Sequence, residues 1–170
     1  MLNSNRTGGK IYMELRKVDS KNVWKIIKLS VNNEQSDFVA TNTESILEAY
    51  TAITSGIVAL PFGIYSENTL VGFIMFGYDT IGDEEEPDIA SGNYCIWRFM
   101  IDKAYQKQGF GKKAMQVAID YLRSWPCGKA EYCWLSYESD NVGAKALYHS
   151  FGFVENGEMD GEEMVAVLKL

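Results

Sequence analysis

The chain has 170 residues, 46% of them apolar, which suits one well-cored domain and argues against disorder. Its 16 basic and 23 acidic residues leave a formal charge of −7 with no Lys/Arg stripe, which argues against nucleic acid and against acidic substrates as partners. No apolar run reaches the length of a membrane span and no apolar signal core opens the chain, so a cytoplasmic protein with no membrane partner is expected. In chain order, residues 1–12 read as a flexible extension and residues 13–170 as a single domain. Periodicity predicts a strand at about 13–18, helices at 22–31 and 43–55, and strands at 61–67 and 70–79 joined by a tight turn at Asn68. A strand at 93–101, a helix at 109–124, a strand at 131–137 and a helix at 141–151 follow. Strands at 153–159 and 163–170, joined through Asp160-Gly161, close the chain. The fold class is therefore α/β, a mixed sheet with helices on both faces. The cysteines Cys95, Cys127 and Cys133 are odd in number and lack metal-ligand spacing, so they read as reduced thiols and no metal site is predicted.

The segment Gln106-Lys107-Gln108-Gly109-Phe110-Gly111-Lys112 joins the strand at 93–101 to the helix that follows. A loop with two glycines at a helix start presents free backbone N–H groups, reinforced by the positive end of the helix dipole. Phosphate oxygens can approach glycine backbone closely, and Lys107 and Lys112 add charge from the flanks. A Walker loop is excluded, because Gly111-Lys112 is followed by Lys113 and no glycine stands five positions before Gly111. A dinucleotide fingerprint, Gly109-x-Gly111-x-x-Ala114 with Glu138 as the acid, has the right glycine spacing. It fails on context: seven residues separate Ile101 from Gly109, and only about thirty follow Glu138.

Gln106-x-x-Gly109-x-Gly111 between strand and helix resembles the acetyl-coenzyme A motif of the GNAT acetyltransferase superfamily. A second stretch, Asn141-x-x-Ala144-x-x-Leu147-Tyr148-x-x-x-Gly152-Phe153, is similar to that family's later signature. Within the superfamily the chain most resembles spermidine/spermine (diamine) acetyltransferases, on Arg98-Phe99-Met100-Ile101-Asp102, Tyr105-Gln106, Leu135-Ser136 and Gly157-Glu158 as well. The resemblance covers most of residues 13–170 and implies a mostly antiparallel central sheet. It implies acetyl-CoA as cofactor, a primary amine as acceptor, and direct transfer in a ternary complex. A homodimer is a fold-level expectation.

The resemblance also implies roles for individual residues. Backbone groups of Phe99, Met100 and Ile101 would bind the pantetheine arm. The segment Gln106, Lys107, Gln108, Gly109, Phe110, Gly111 and Lys112 would hold the pyrophosphate, and Asn141 would hydrogen-bond the cofactor. Tyr148 would be the general acid, since a phenol keeps its proton at neutral pH and can pass it to a departing thiolate. On spacing alone Tyr148 also fits a core-facing stripe with Ala144, Leu147 and Phe151. His149, the one histidine, faces about 100° away from Tyr148 on a helix and reads as a surface residue.

In some relatives a carboxylate precedes the Arg-Phe pair and relays the amine proton; here Trp97 stands there, so no base is carried over. For the acceptor, Asp83 to Asp88 holds five acids in six residues, including Glu84 and Glu85. Such a run either steers polyamines to the site or is a solvated loop. Glu34 and Asp37 would add to it, and Tyr65, Phe73, Phe76, Tyr78 and Trp97 either line a slot for an aliphatic chain or belong to the core. Two alternatives stay open: acetylation of another amine (an aminoglycoside, an amino acid, a protein N-terminus), or a non-catalytic CoA-binding module.

Overall fold

The computed structural model describes residues 12–81 and 86–170. Strand β1 (Met13–Lys17) pairs antiparallel with β2 (Val58–Ser66), which turns through Glu67 and Asn68 into β3 (Thr69–Tyr78). Glu67 takes the left-handed φ of 56° that this tight turn requires. Strand β4 (Tyr94–Ile101) follows, then β5 (Tyr132–Tyr137) and the hairpin of β6 (Val154–Asp160) with β7 (Glu163–Lys169). The sheet order is β1-β2-β3-β4-β5-β7-β6, and β4–β5 is the one parallel pairing among the described residues. The expected mixed, mostly antiparallel sheet is therefore present. Among the described residues, no helix is long and apolar enough to cross a membrane.

Helices cover both faces because the strands alternate two apolar sets. Phe73 and Met75 meet α1 (Val23–Ile26) and α2 (Asn42–Thr54) through Ile26, Ala49 and Ala52. Ile74 and Phe76 face the opposite way, toward Ala114, Met115 and Ala118 of α3 (Phe110–Leu122). Each large side chain buried there contributes roughly 1.5–3 kcal/mol. Helix α4 (Val142–Ser150) joins this second layer through Tyr148. Helix α2 starts at a reciprocal cap: Glu44 N–H donates to Thr41 Oγ1 at 3.2 Å, and Thr41 N–H donates to the Glu44 carboxylate at 2.9 Å.

Two elements differ from the sequence expectation. The helix expected over 22–31 is short, Val23–Ile26. Beyond it the chain is drawn to the loop after β4: Ser30 N–H donates to Asp102 Oδ2 at 2.9 Å, and Lys103 N–H donates to the Ser30 carbonyl at 2.8 Å. Strand β2 begins at Val58, before Pro61, rather than at 61. Its pairing with β1 covers only Phe62 to Ser66, so Pro61 lies where its missing N–H costs no ladder bond on that side. Most of the aromatics considered for a substrate slot are core: Phe73 and Phe76 are fully buried, and Tyr65 is buried as well.

Candidate active site

The site is built where two neighbouring strands part. Strands β4 and β5 pair only at Tyr94/Cys133 and Cys95/Trp134. Beyond those residues β4 stays with β3 and β5 stays with β7, so a gap opens between them. The gap begins at a bulge, where Phe76 faces Ile96 and Met75 faces Arg98, leaving Trp97 as the extra residue. Trp97 packs against the apolar cluster beneath α1 and α2. Arg98 reaches that same layer, donating from Nη2 to Glu48 on α2 at 3.0 and 3.1 Å.

A groove of about 580 Å³ fills the gap. Its floor is Ile96 to Ile101 of β4, which includes the predicted Trp97, Phe99, Met100 and Ile101. Gln106, Lys107 and Gly111 line one end, and Asn141 and Tyr148 line the wall from α4. Gln108, Gly109, Phe110 and Lys112 flank the groove without lining it. Phe110 packs edge-on to Tyr105 at 6.1 Å, against the core. Glu34 is exposed on the helical turn Asn33–Gln35, outside the groove, whereas its neighbours Gln35 and Asp37 line it. Glu84 and Glu85 lie outside the described residues.

The loop before α3 has the form a pyrophosphate needs. Gly109 caps the helix at φ 81°, a left-handed conformation that glycine adopts without strain. A Cβ at Gly109 would meet nothing within 4 Å, and one at Gly111 only Ile101 Cγ1 at 3.9 Å. Open space therefore lies before the helix start, where first-turn N–H groups precede the helical ladder. Gln106 has a different part. Its Nε2 donates to Gln35 Oε1 at 2.8 Å and to the Ile101 carbonyl at 3.0 Å, and its Oε1 accepts from Asn32 Nδ2 at 2.9 Å. The Gln106 side chain thus clasps the loop to the chain before α2. Asn141 is likewise engaged: its Oδ1 accepts from Ala144 N–H at 3.1 Å and caps α4.

Tyr148 is 8% exposed, with its ring 5.7 Å from that of Tyr137 and 5.9 Å from that of Phe153. Burial pushes its phenol well above the ordinary value, and the charges of Glu163 and Tyr137 push the same way. The tyrosine therefore holds its proton across the neutral range. His149, by contrast, is on the surface, with Nε2 at 3.0 Å from Glu155 Oε2. Glu155 also accepts from the Tyr137 hydroxyl at 2.7 Å and pairs with Lys145 at 3.0 Å.

Ser136 and Glu163 line the groove beside Tyr148; the sequence marked Ser136 only as part of the resemblance, with no role at the site, and did not mark Glu163. A polar side chain in the otherwise apolar strand β5, and an acid directly after the Gly161 turn, were the available signals. Neither has meaning until β5 and β7 are paired.

The acetyltransferase (GNAT) family profile matches residues 15–153. The chain is 39% identical over 107 residues to a protein of Bacillus subtilis subsp. natto (strain BEST195) named probable spermine N(1)-acetyltransferase, covering 62% of this chain and 67% of that one. It is 38% identical over 107 residues to the spermine/spermidine N(1)-acetyltransferase of Bacillus subtilis (strain 168), with the same coverage of 62% and 67%. Among solved structures, an aminoglycoside acetyltransferase in complex with coenzyme A superposes with a TM-score of 0.73 at 18% identity, covering 93% of this chain and 95% of that one. The spermidine N-acetyltransferase of Vibrio cholerae, in complex with CoA and spermine, superposes with a TM-score of 0.63 at 18% identity, over 93% and 94% of the two chains. With its splayed strands, its glycine-capped helix start and a family profile spanning most of its length, the chain belongs to the acetyltransferase (GNAT) family.

Proposed function

We propose that the chain transfers the acetyl group of acetyl-CoA to a primary amine of a polyamine such as spermidine or spermine, by direct attack with both substrates bound. One observation carries this reading. The β4–β5 gap joins an open helix start at one end to a buried, proton-holding tyrosine at the wall. Family membership and relatives named for spermine acetylation support the donor and the acceptor class.

The residues present fit the group that the family uses. Backbone amides of the Gly109–Gly111 loop would hold its pyrophosphate, and the unpaired edge of β4 at Phe99 to Ile101 would hold its pantetheine arm. When bound, acetyl-CoA supplies an activated acyl carbon. Tyr148 keeps a proton ready for the departing sulfur, because burial holds its phenol in the neutral form. A cysteine acyl-enzyme has no support: none of Cys95, Cys127 and Cys133 lines the groove, and burial pushes the Cys95 thiol up to about 12, where it keeps its proton and is a poor nucleophile.

The test is steady-state release of CoA thiol from acetyl-CoA, with spermidine and spermine beside lysine, an aminoglycoside and a basic peptide. Selective turnover of the polyamines is expected. Selective turnover of another amine would overturn the acceptor class, and cofactor binding without turnover of any amine would leave a CoA-binding module.

A further inference from the structure

Trp97 leaves the acceptor amine without a carboxylate at the position some relatives use, and the fold places one elsewhere. We propose that Glu163, at the start of β7, is the carboxylate that meets the acceptor's reacting amine, and that the side cavity beyond it, ending at Asp160, takes the acceptor's next cationic nitrogen. This rests on the reading of the groove as an amine acetyltransferase site.

Glu163 lines two spaces at once. It faces the large groove together with Tyr148, and it also faces a side cavity of about 130 Å³. The two spaces share Ile96, Trp97, Arg98 and Ser136 as a common wall, so the side cavity continues the groove. Beyond Glu163 the cavity is lined by Asp160 and Glu86.

Asp160 and Glu163 stand directly opposite each other across the β6–β7 hairpin. Like charges in that position are unfavourable for a sheet. Between them lies Ser136 Oγ, at 2.8 Å from Asp160 Oδ2 and 2.5 Å from Glu163 Oε2. One hydroxyl has a single hydrogen, so it can donate to only one of the two carboxylates at a time. A cationic nitrogen between them relieves both the repulsion and the shortage of donors. A second, independent observation points to a ligand. Thr80 and Trp134 line the same cavity at 3% and 6% exposure; the Thr80 hydroxyl lies beside the Cys95 thiol, whereas Trp134 Nε1, like Arg98 Nε on the shared wall, is buried with no hydrogen-bond partner among the described residues. Burying such groups unpaired is unfavourable. The threonine hydroxyl can accept from an ammonium, and the indole N–H can donate to the water an ammonium carries with it. Flat indole walls at Trp97 and Trp134 suit the methylene chain between two such nitrogens.

The transfer balances with these groups. The free amine's lone pair forms the C–N bond to the thioester carbonyl carbon, and its N–H proton passes to the Glu163 carboxylate. The C–S bond breaks, and the sulfur takes the Tyr148 proton. Glu163 then gives its proton to solvent and Tyr148 regains one, leaving N-acetylamine and CoA.

The experiment measures kcat and KM for spermidine, spermine and propylamine in the wild type, Glu163→Gln, Glu163→Asp and Asp160→Asn, with acetyl-CoA affinity and Tm followed in parallel. Glu163→Gln should lower kcat/KM for the amine about a hundredfold while acetyl-CoA affinity and Tm stay near wild type, and Glu163→Asp should recover part of the loss. Asp160→Asn should act on KM, lowering the preference for spermidine over propylamine about tenfold. Wild-type kcat/KM in Glu163→Gln, or an Asp160→Asn variant with the wild-type preference, would overturn the proposal. If the wild type acetylates a different amine and no polyamine, the acceptor reading fails by itself, and Glu163 is judged on that amine by the same comparison. If Glu163→Gln unfolds, Glu163→Asp decides: a loss in Tm without a change in kcat/KM contradicts the role.

Discussion

At the residue scale, Tyr148 keeps the core position that its spacing suggested, packed on Tyr137 and Phe153, and also reaches the groove. Both hold because α4 stands at the edge of the core where β4 and β5 part. Tyr148→Phe should therefore lower turnover at least about tenfold while leaving acetyl-CoA affinity nearly unchanged. Steady-state kinetics with calorimetric binding would check it. Since burial raises the phenol above its ordinary value of about 10, no loss of kcat from its ionisation should appear below about pH 10. Glu155 titrates in the other direction. The Tyr137 hydroxyl, with Lys145 and His149 behind it, holds its carboxyl down to about 2. A group depressed in the folded state stabilises above its unfolded value, and that contribution drains as pH falls. The window runs from about pH 5 to about pH 2, and Glu155→Gln should flatten the fall of Tm across it. His149 is explained by the same cluster, as a surface partner of Glu155.

At the element scale, the strand–loop–helix unit of β4 and α3 was the most legible part of the chain. Its helix repeats Ala114, Met115, Ala118, Ile119 and Leu122 on one buried face, and Gly109 sits where the backbone turns left-handed. Gly111→Val and Gly109→Val separate the fold from the site. A Cβ at Gly111 meets only Ile101 at 3.9 Å, so Tm should hold while acetyl-CoA affinity falls. At Gly109, with φ 81°, a valine adds strain of about 1–3 kcal/mol to the same loss, and Tm should drop as well. Asn141→Ala removes the cap of α4 and should cost about 1 kcal/mol, read as a lower Tm and as weaker retention of Tyr148 at the groove. The part of Gln106 was hidden from the sequence. Its side chain clasps Gln35 and Asn32, residues far away in the chain, and no local pattern encodes that contact. The short α1 has the same explanation, because the pull of Asp102 on Ser30 is tertiary.

At the scale of the whole molecule, alternating strands and two signatures in order were enough to foresee a mixed sheet covered on both faces. The splay of β4 from β5 is what frees the backbone of Phe99, Met100 and Ile101, and no strand's own sequence shows it. Its physical basis is a bulge at Trp97 and a parallel pairing of two residue pairs, features of register that a single strand's sequence does not carry. The acidic wall was also out of reach: Ser136, Asp160 and Glu163 come from three strands and meet only once β5, β6 and β7 are assembled. The acidic run that charge singled out in the sequence contributes Glu86 to the side cavity, and Asp37 lines the groove, but Asp160 and Glu163 join them only through the assembled sheet. On the proposed reading, the groove joins a cofactor end made of backbone to an acceptor end made of carboxylates.

The measurement that bears most directly on this account is product analysis of spermidine incubated with acetyl-CoA and the chain. Mass spectrometry with fragmentation should find one acetyl group on a primary nitrogen, formed with stoichiometric CoA and at a rate that collapses in Tyr148→Phe. Unmodified spermidine, or an acetylated product formed equally fast by Tyr148→Phe, would contradict it.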